Sequence, residues 1–253
     1  MTAHPPASRA RRAVIKGALC AGLVAAATTL TACSGGEDPD AGTNGVGKLT
    51  AAKIQGKAGR VAGSASAVRL SGTLVSKSHT YSLDMRLKGD GGTGSVTSKG
   101  RTFQLLRVGE ALFLKADTEF WTNDGGASGK ADGAAAAKLE GKYVKIPQGD
   151  PAYQQLSGFT DKDKLLDGML TLHGQLEKGE RGTTGSLRSI KITGDAGAGG
   201  TLSVSLEGKP YPLRLERGGH AGTVRLSDWN KDFPLQQPDK EEMVDYGKQL
   251  PTS

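Results

Sequence analysis

The 253-residue sequence is poor in the groups from which catalytic and metal sites are built: two cysteines, four histidines, and aromatics at only 5%. Cys20 lies inside an N-terminal apolar stretch and Cys33 closes that stretch. A chain cleaved at Cys33 and acylated there keeps no free thiol, which excludes a disulfide, a thiolate nucleophile and a cysteine metal cluster. His79, His173 and His220 fall on or beside separate alternating segments, with no paired spacing for a metal, and read as solvent-side strand residues. There is no Gly-x-Ser-x-Gly nucleophile elbow. After Cys33 no apolar run is long enough to span a bilayer. No catalytic residue, metal ligand or cofactor is therefore assigned, and an enzyme is not expected.

The N-terminus has a definite organisation. Arg9, Arg11, Arg12 and Lys16 precede or open an apolar run that extends to Thr29 and contains no acidic residue. Leu30-Thr31-Ala32-Cys33 follows. A basic segment, a short apolar segment and a small-residue cleavage site form a secretory signal. Leu-x-Ala-Cys resembles the bacterial lipobox, which makes Cys33 the lipidated first residue of the mature chain. Acyl chains gain about 0.8 kcal/mol per buried CH₂, enough for several of them to hold a protein on a bilayer. An uncleaved helix over Ala13 to Ala32 fits less well, because six of those residues are Thr, Lys or Gly and half of the rest are Ala. Arg11-Arg12 followed by Ala13-Val14-Ile15-Lys16 looks like a twin-arginine signal, and the general secretion route, whose signals also carry clustered Arg, fits nearly as well.

Removing residues 1–32 takes away four basic groups and no acidic one, so the formal charge falls from +7 to +3. The basic balance belongs largely to the signal and does not point to nucleic acid. Residues 33–47, the lipidated Cys and a Gly/Pro/Asp/Asn-rich run, are expected to form a tether that reaches about 20 Å as a flexible coil. Residues 48–253 are expected to form a single domain.

Lys48 to Ala62 has helical character, weakened by Gly56 and Gly59. From Ser66 the apolar period becomes two: Val68, Leu70, Gly72 and Leu74 share one face, as do Tyr81, Leu83, Met85 and Leu87. Asp90-Gly91-Gly92 reads as a hairpin turn, and Arg101 to Val108 and Ala111 to Lys115 extend the meander. Ala134 to Leu139 reads as a short helix and Tyr143 to Ile146 as a strand. Thr160 to Asp163 fits a helix-capping signal with Phe159 as its staple, followed by the apolar stripe Leu165, Leu166, Met169, Leu170. Five further strands are expected at Thr171 to Lys178, Ser186 to Thr193, Thr201 to Glu207, Tyr211 to Glu216 and His220 to Trp229. A polar helix is expected over Asp239 to Gln249. The sum is a mainly β (α+β) domain of about ten strands with a helical interlude.

Three strings imitate binding motifs. Gly42 to Lys48 has phosphate-loop spacing, but Leu49 stands where Ser or Thr would hold magnesium. Gly89-x-Gly91-x-x-Gly94 leads into a strand, not into the helix that a dinucleotide requires. Asp161, Asp163 and Asp167 lack oxygen ligands at Leu165 and Leu172. The one-sided strands themselves fit either a packed core or the wall of an apolar cavity, since both use the same residues.

The order of lipobox, tether, short helix, meander, central helices and second meander resembles the LppX/LprG-type lipoproteins of actinobacteria. The resembling strings are Val68-Arg69-Leu70-Ser71-Gly72-Thr73, Gly92-Thr93-Gly94-Ser95-Val96-Thr97, Leu112-Phe113-Leu114-Lys115, Gly141-Lys142-Tyr143-Val144-Lys145-Ile146 and Gly208 to Glu216 (GKPYPLRLE). The resemblance implies a strongly curved antiparallel half-barrel, similar to LolA, with helices across its open face. It also implies a lipid, acylated glycolipid or other apolar ligand, carried or presented at the outer face of the cytoplasmic membrane. From the family only Cys33 carries over as a site residue; the alternating faces themselves put Leu70, Leu74, Tyr81, Leu83, Met85, Leu87, Leu105, Leu112, Leu114, Leu202, Val204, Leu206, Leu213 and Leu215 on the expected wall. The helical interlude puts Leu156, Phe159, Leu165, Leu166, Met169 and Leu170 on the expected lid. A surface adaptor with a filled core is the competing expectation, and an envelope transport partner stays unnamed.

Overall fold

A computed structural model describes residues 39–76, 79–123 and 133–245, and Pro39–Ser253 forms one compact unit. Twelve strands make a single curved, unclosed sheet. They are β1 (Ala67–Ser76), β2 (His79–Lys88), β3 (Gly91–Ser98), β4 (Arg101–Val108), β5 (Ala111–Ala116), β6 (Tyr143–Ile146), β7 (Leu176–Thr184), β8 (Leu187–Gly194), β9 (Gly200–Ser205), β10 (Pro212–Glu216), β11 (Gly222–Ser227) and β12 (Met243–Asp245). Their order across the sheet is β12-β6-β5-β4-β3-β2-β1-β11-β10-β9-β8-β7. The two meanders are thus one sheet, joined where β1 pairs antiparallel with β11, Leu70 opposite Leu226.

Period-two alternation fixes the register, because a slip by one residue would turn every apolar side chain to water. Leu226, Leu70, Met85, Gly94, Leu105, Leu114 and Val144 stand opposite one another across seven strands on the inner face. The next row, Arg225, Ser71, Asp84, Ser95, Gln104 and Lys115, faces outward. Glycine in the inner row lets the strands approach closely. Gly94 has φ +156°, and a Cβ there would lie 2.1 Å from the Asp84 carbonyl and 2.8 Å from Met85 Sδ. Interior strand glycines of this kind mark a tight bend or close backbone approach.

Among the described residues five helices accompany the sheet: α1 (Ala51–Gly63), α2 (Thr118–Asn123), α3 (Gly133–Leu139), α4 (Pro151–Ser157) and α5 (Lys162–Leu170). Ile54, Ala58 and Ala62 of α1 are buried at helical spacing in the same core cluster as the inner strand residues. Asp150 caps α4 by accepting from Ala152 N–H at 2.8 Å, with Pro151 at the first helical position. Asp161 caps α5, accepting from Lys164 N–H at 3.1 Å. Thr160 is therefore not the cap that its spacing predicts. Its hydroxyl donates to Ser157 O at 2.9 Å and accepts from Arg107 Nε at 3.0 Å. Arg107 also donates to Thr160 O at 2.8 Å, which ties the helical cover to β4. The ammonium of Lys162, only 5% exposed, donates to Gly63 O at 2.9 Å and so ties α5 to the last turn of α1.

Three expectations are corrected. Within the expected 33–47 tether, residues from Asp40 onward are docked against the sheet. Arg181 pairs with Asp40 at 2.7 Å, Asn44 N–H donates to Leu206 O at 2.8 Å, Arg188 donates to Gly42 O at 2.6 Å, and Val46 is fully buried. Gly42 and Gly45, at φ +66° and +74°, make the turns that allow this, and Val46 supplies the apolar contact. Cys33 and the residues up to 38 lie outside the described residues.

The strand expected at Thr171 to Lys178 begins at Leu176 and runs to Thr184. It is an exposed sheet edge bearing Glu177, Lys178, Glu180 and Arg181, charges that discourage edge-to-edge pairing. In place of the helix expected over Asp239 to Gln249, a 3₁₀ turn (Lys240–Glu242) leads into β12, which pairs parallel with β6. The open edge of β6 outweighs local polarity there; residues 246–249 lie outside the described residues. No helix among the described residues is long and apolar enough to cross a membrane.

Candidate functional site

An apolar groove of about 410 Å³ opens between one end of the sheet and the helical cover. The end of β1 gives Leu74 and Val75, and the start of β2 gives Tyr81. The cover gives Gln155 from α4, Phe159 from the 3₁₀ turn Gly158–Thr160, and Lys164, Leu165, Gly168 and Met169 from α5. Arg217, between β10 and β11, closes one side. At about 30 Å³ per water-sized group, the space takes about fourteen such groups, the bulk of one acyl chain.

Local structure explains why this end stays open. Leu74 stands opposite Tyr81 in the β1–β2 ladder, and the Tyr81 ring meets Phe159 at 5.6 Å between centroids. Phe159 is held there because Arg107 grips the adjacent Thr160. Gly168 leaves the facing side of α5 bare, since a Cβ built on it meets nothing within 4 Å. A helical glycine costs about 1 kcal/mol relative to alanine. Val75, 40% exposed at the mouth, is one of two largely exposed big apolar side chains among the described residues. Exposed apolar surface beside a concave, partly polar lining is the usual composition of a small-molecule site.

Two recesses adjoin the groove. A small one of about 170 Å³ runs past Met169, Leu172 and Leu215 to Arg217 and Gly218. A polar one of about 530 Å³ is lined by Thr73, Thr201, Thr223, Glu216, Arg217, His220 and a run of glycines.

The residues expected to form wall and lid divide into two groups. Leu74 and Tyr81 of the wall and Phe159, Leu165 and Met169 of the lid line the groove. Leu70, Leu83, Met85, Leu87, Leu105, Leu112, Leu114, Leu202, Val204, Leu206 and Leu215 are buried in the contiguous core together with Leu156, Leu166 and Leu170. Leu213 is buried outside that cluster, at a β-bulge between Pro212 and Arg214, where the extra residue loses its place in the alternation. Val75, Gln155, Lys164, Gly168 and Arg217 escape sequence reasoning. Val75 lies on the expected wet face, and the other four carry no periodic signal.

No group of three or more metal-ligating side chains comes together among the described residues. On the outer face Arg69 pairs bidentately with Asp84 at 2.9 and 2.7 Å. The hydrogen bond from Arg69 holds the Asp84 carboxyl below its ordinary range. Burial pushes the Tyr143 hydroxyl upward, helped by the charge of Glu242. Neither group borders the groove.

No family model and no curated protein matches the sequence. Among solved structures, LprF from Mycobacterium bovis superposes with a TM-score of 0.51 over 74% of this chain and 96% of its own, at 15% identity. The fold is that of LprF. The Mycobacterium tuberculosis lipoprotein LppX covers 72% of this chain and 96% of its own, at a TM-score of 0.43 and 16% identity. The likeness to LprF bears out the expected curved, unclosed sheet with helices, and the groove lies where that sheet meets its cover.

Proposed function

We propose that the protein is an exported lipoprotein, anchored through Cys33 at the outer face of the cytoplasmic membrane. It holds a lipid, acylated glycolipid or other apolar molecule for carriage or presentation in the envelope. The observation that carries this reading is the apolar groove between Leu74, Tyr81, Phe159, Leu165 and Met169. The LprF fold supports it, as does the lipobox-like run ending at Cys33. Burial of a chain on these side chains gives affinity without directional chemistry, at roughly 25 cal/mol per Å². No bond-breaking step is assigned.

A second reading, a surface adaptor whose core is simply filled, has the dense packing of the inner sheet face in its favour. Lipid mass spectrometry on Pro39–Ser253, purified without detergent, separates the two. Stoichiometric lipid released on denaturation supports carriage. Clean protein that also fails to take up added envelope lipids supports the adaptor.

A further inference from the structure

Arg217 is the one residue common to the apolar groove and both adjoining recesses. Its backbone N–H donates to Gly222 O at 2.9 Å, but among the described residues nothing accepts a hydrogen bond or forms an ion pair with its guanidinium. The neighbouring carboxylate is engaged elsewhere, since Glu216 pairs with Arg214 at 2.9 Å. The other cation of the groove, Lys164, sits at the rim and pairs with Asp161 at 3.2 Å. Arg217, whose guanidinium has no partner among the described residues, thus stands where an apolar slot meets a polar recess. That recess is lined by Thr73, Thr201, Thr223 and the backbone of Gly218, Gly219 and Gly222. Guanidinium is planar and matches carboxylate or phosphate oxygens bidentately, and such charge-assisted bonds strengthen where water is partly excluded. Backbone turned into the positive-φ region, as at Gly219 (+65°) and His220 (+56°), directs N–H groups into concavities that favour anions.

We infer that the groove takes an amphiphile with an anionic head group. Its chain lies along Leu74, Tyr81, Phe159, Leu165 and Met169, and its carboxylate or phosphate oxygens sit on the Arg217 guanidinium. This rests on the lipid-holding reading above and sharpens the ligand from apolar to acidic. Head group and chain are recognised at separate places, so each can be removed alone.

The test uses Pro39–Ser253, which carries the whole described core, and two fluorescent probes that differ only in charge: parinarate and its methyl ester. The wild-type protein is expected to bind parinarate about tenfold or more tighter than the ester, the discrimination that one charged hydrogen-bond pair supplies. Arg217→Gln should bring the two probes within about twofold by weakening parinarate alone, while Arg217→Lys should restore part of the gap. Raising salt should narrow the gap in the wild type. Equal binding of the two probes by the wild type, or a preference that survives Arg217→Gln, overturns the inference and leaves the groove intact. Failure of both probes to bind removes the lipid-holding reading itself.

Discussion

Replacing Gly94 by alanine tests the close approach of β2 and β3 in the inner face of the sheet. Gly94 sits mid-strand in β3, opposite Met85 and Leu105, at φ +156°. An added Cβ would lie 2.1 Å from the Asp84 carbonyl oxygen and 2.7 Å from Met85 Cα, and both are backbone atoms that cannot swing aside. A non-glycine residue in this region costs about 1–3 kcal/mol in strain. Forcing the β2 and β3 backbones apart costs about 1–3 kcal/mol more, as overpacking does. The expected loss is about 2–6 kcal/mol in urea denaturation, a fall in Tm of roughly 4–24 °C for a domain of this size. Gly59→Ala is the matched control. It lies inside α1, and its Cβ would meet nothing within 4 Å, so it should stabilise by about 0.5–1 kcal/mol. If Gly94→Ala costs under about 0.5 kcal/mol, or follows Gly59→Ala in sign, close approach at the bend is not what requires glycine.

Arg107→Met removes both bonds to Thr160 and a third to Gly109 O, and is expected to cost about 2–3 kcal/mol. Faster amide exchange over residues 157–163 should accompany it, and unchanged exchange would mean that β4 does not hold the cover. Phe159→Ala should weaken parinarate and its ester alike, by about tenfold, since it removes apolar contact without touching charge; unaltered affinity would place the ligand elsewhere. The depressed Asp84 carboxyl contributes stability that is complete above about pH 4, the unfolded aspartate value. That contribution is lost as pH falls through the lower folded value. Asp84→Asn should therefore flatten the acid limb while changing stability at pH 7 by less than about 1 kcal/mol, because both partners are more than one-third exposed. Cys33→Ser should abolish incorporation of labelled palmitate, and retained label would exclude that residue as the acylated one.

Alternation made most of the sheet legible. Arg101–Val108 and Tyr143–Ile146 have the bounds that their pattern predicts, because one face is wet and the other dry. β7 was displaced because it has no dry face: an exposed edge strand leaves no periodic trace. β12 is set by the partner β6, which lies about a hundred residues away in sequence, and the N-terminal residues from Asp40 are set by Arg181, Arg188 and Leu206. Local composition records none of these long-range partners. Inner-face periodicity marks core and groove alike, so it indicated Leu74 and Tyr81 together with twelve residues that do not line the groove. Arg217 follows a strand end and is distinguished only by the company it keeps in space.

The docked segment that begins at Asp40 also sets a height and a direction. Gly42 and Asn44 bond to Arg188 at the start of β8 and to Leu206 just past the end of β9. The groove lies at the opposite strand ends, where β1 finishes and β2 begins. The ten residues of β1 span about 33 Å. A chain acylated at Cys33 has six residues, Ser34 to Pro39, before the docked segment begins, and these reach at most about 20 Å. On the proposed anchoring at Cys33, the docked segment and the mouth of the groove would stand at opposite ends of β1, roughly a strand length apart.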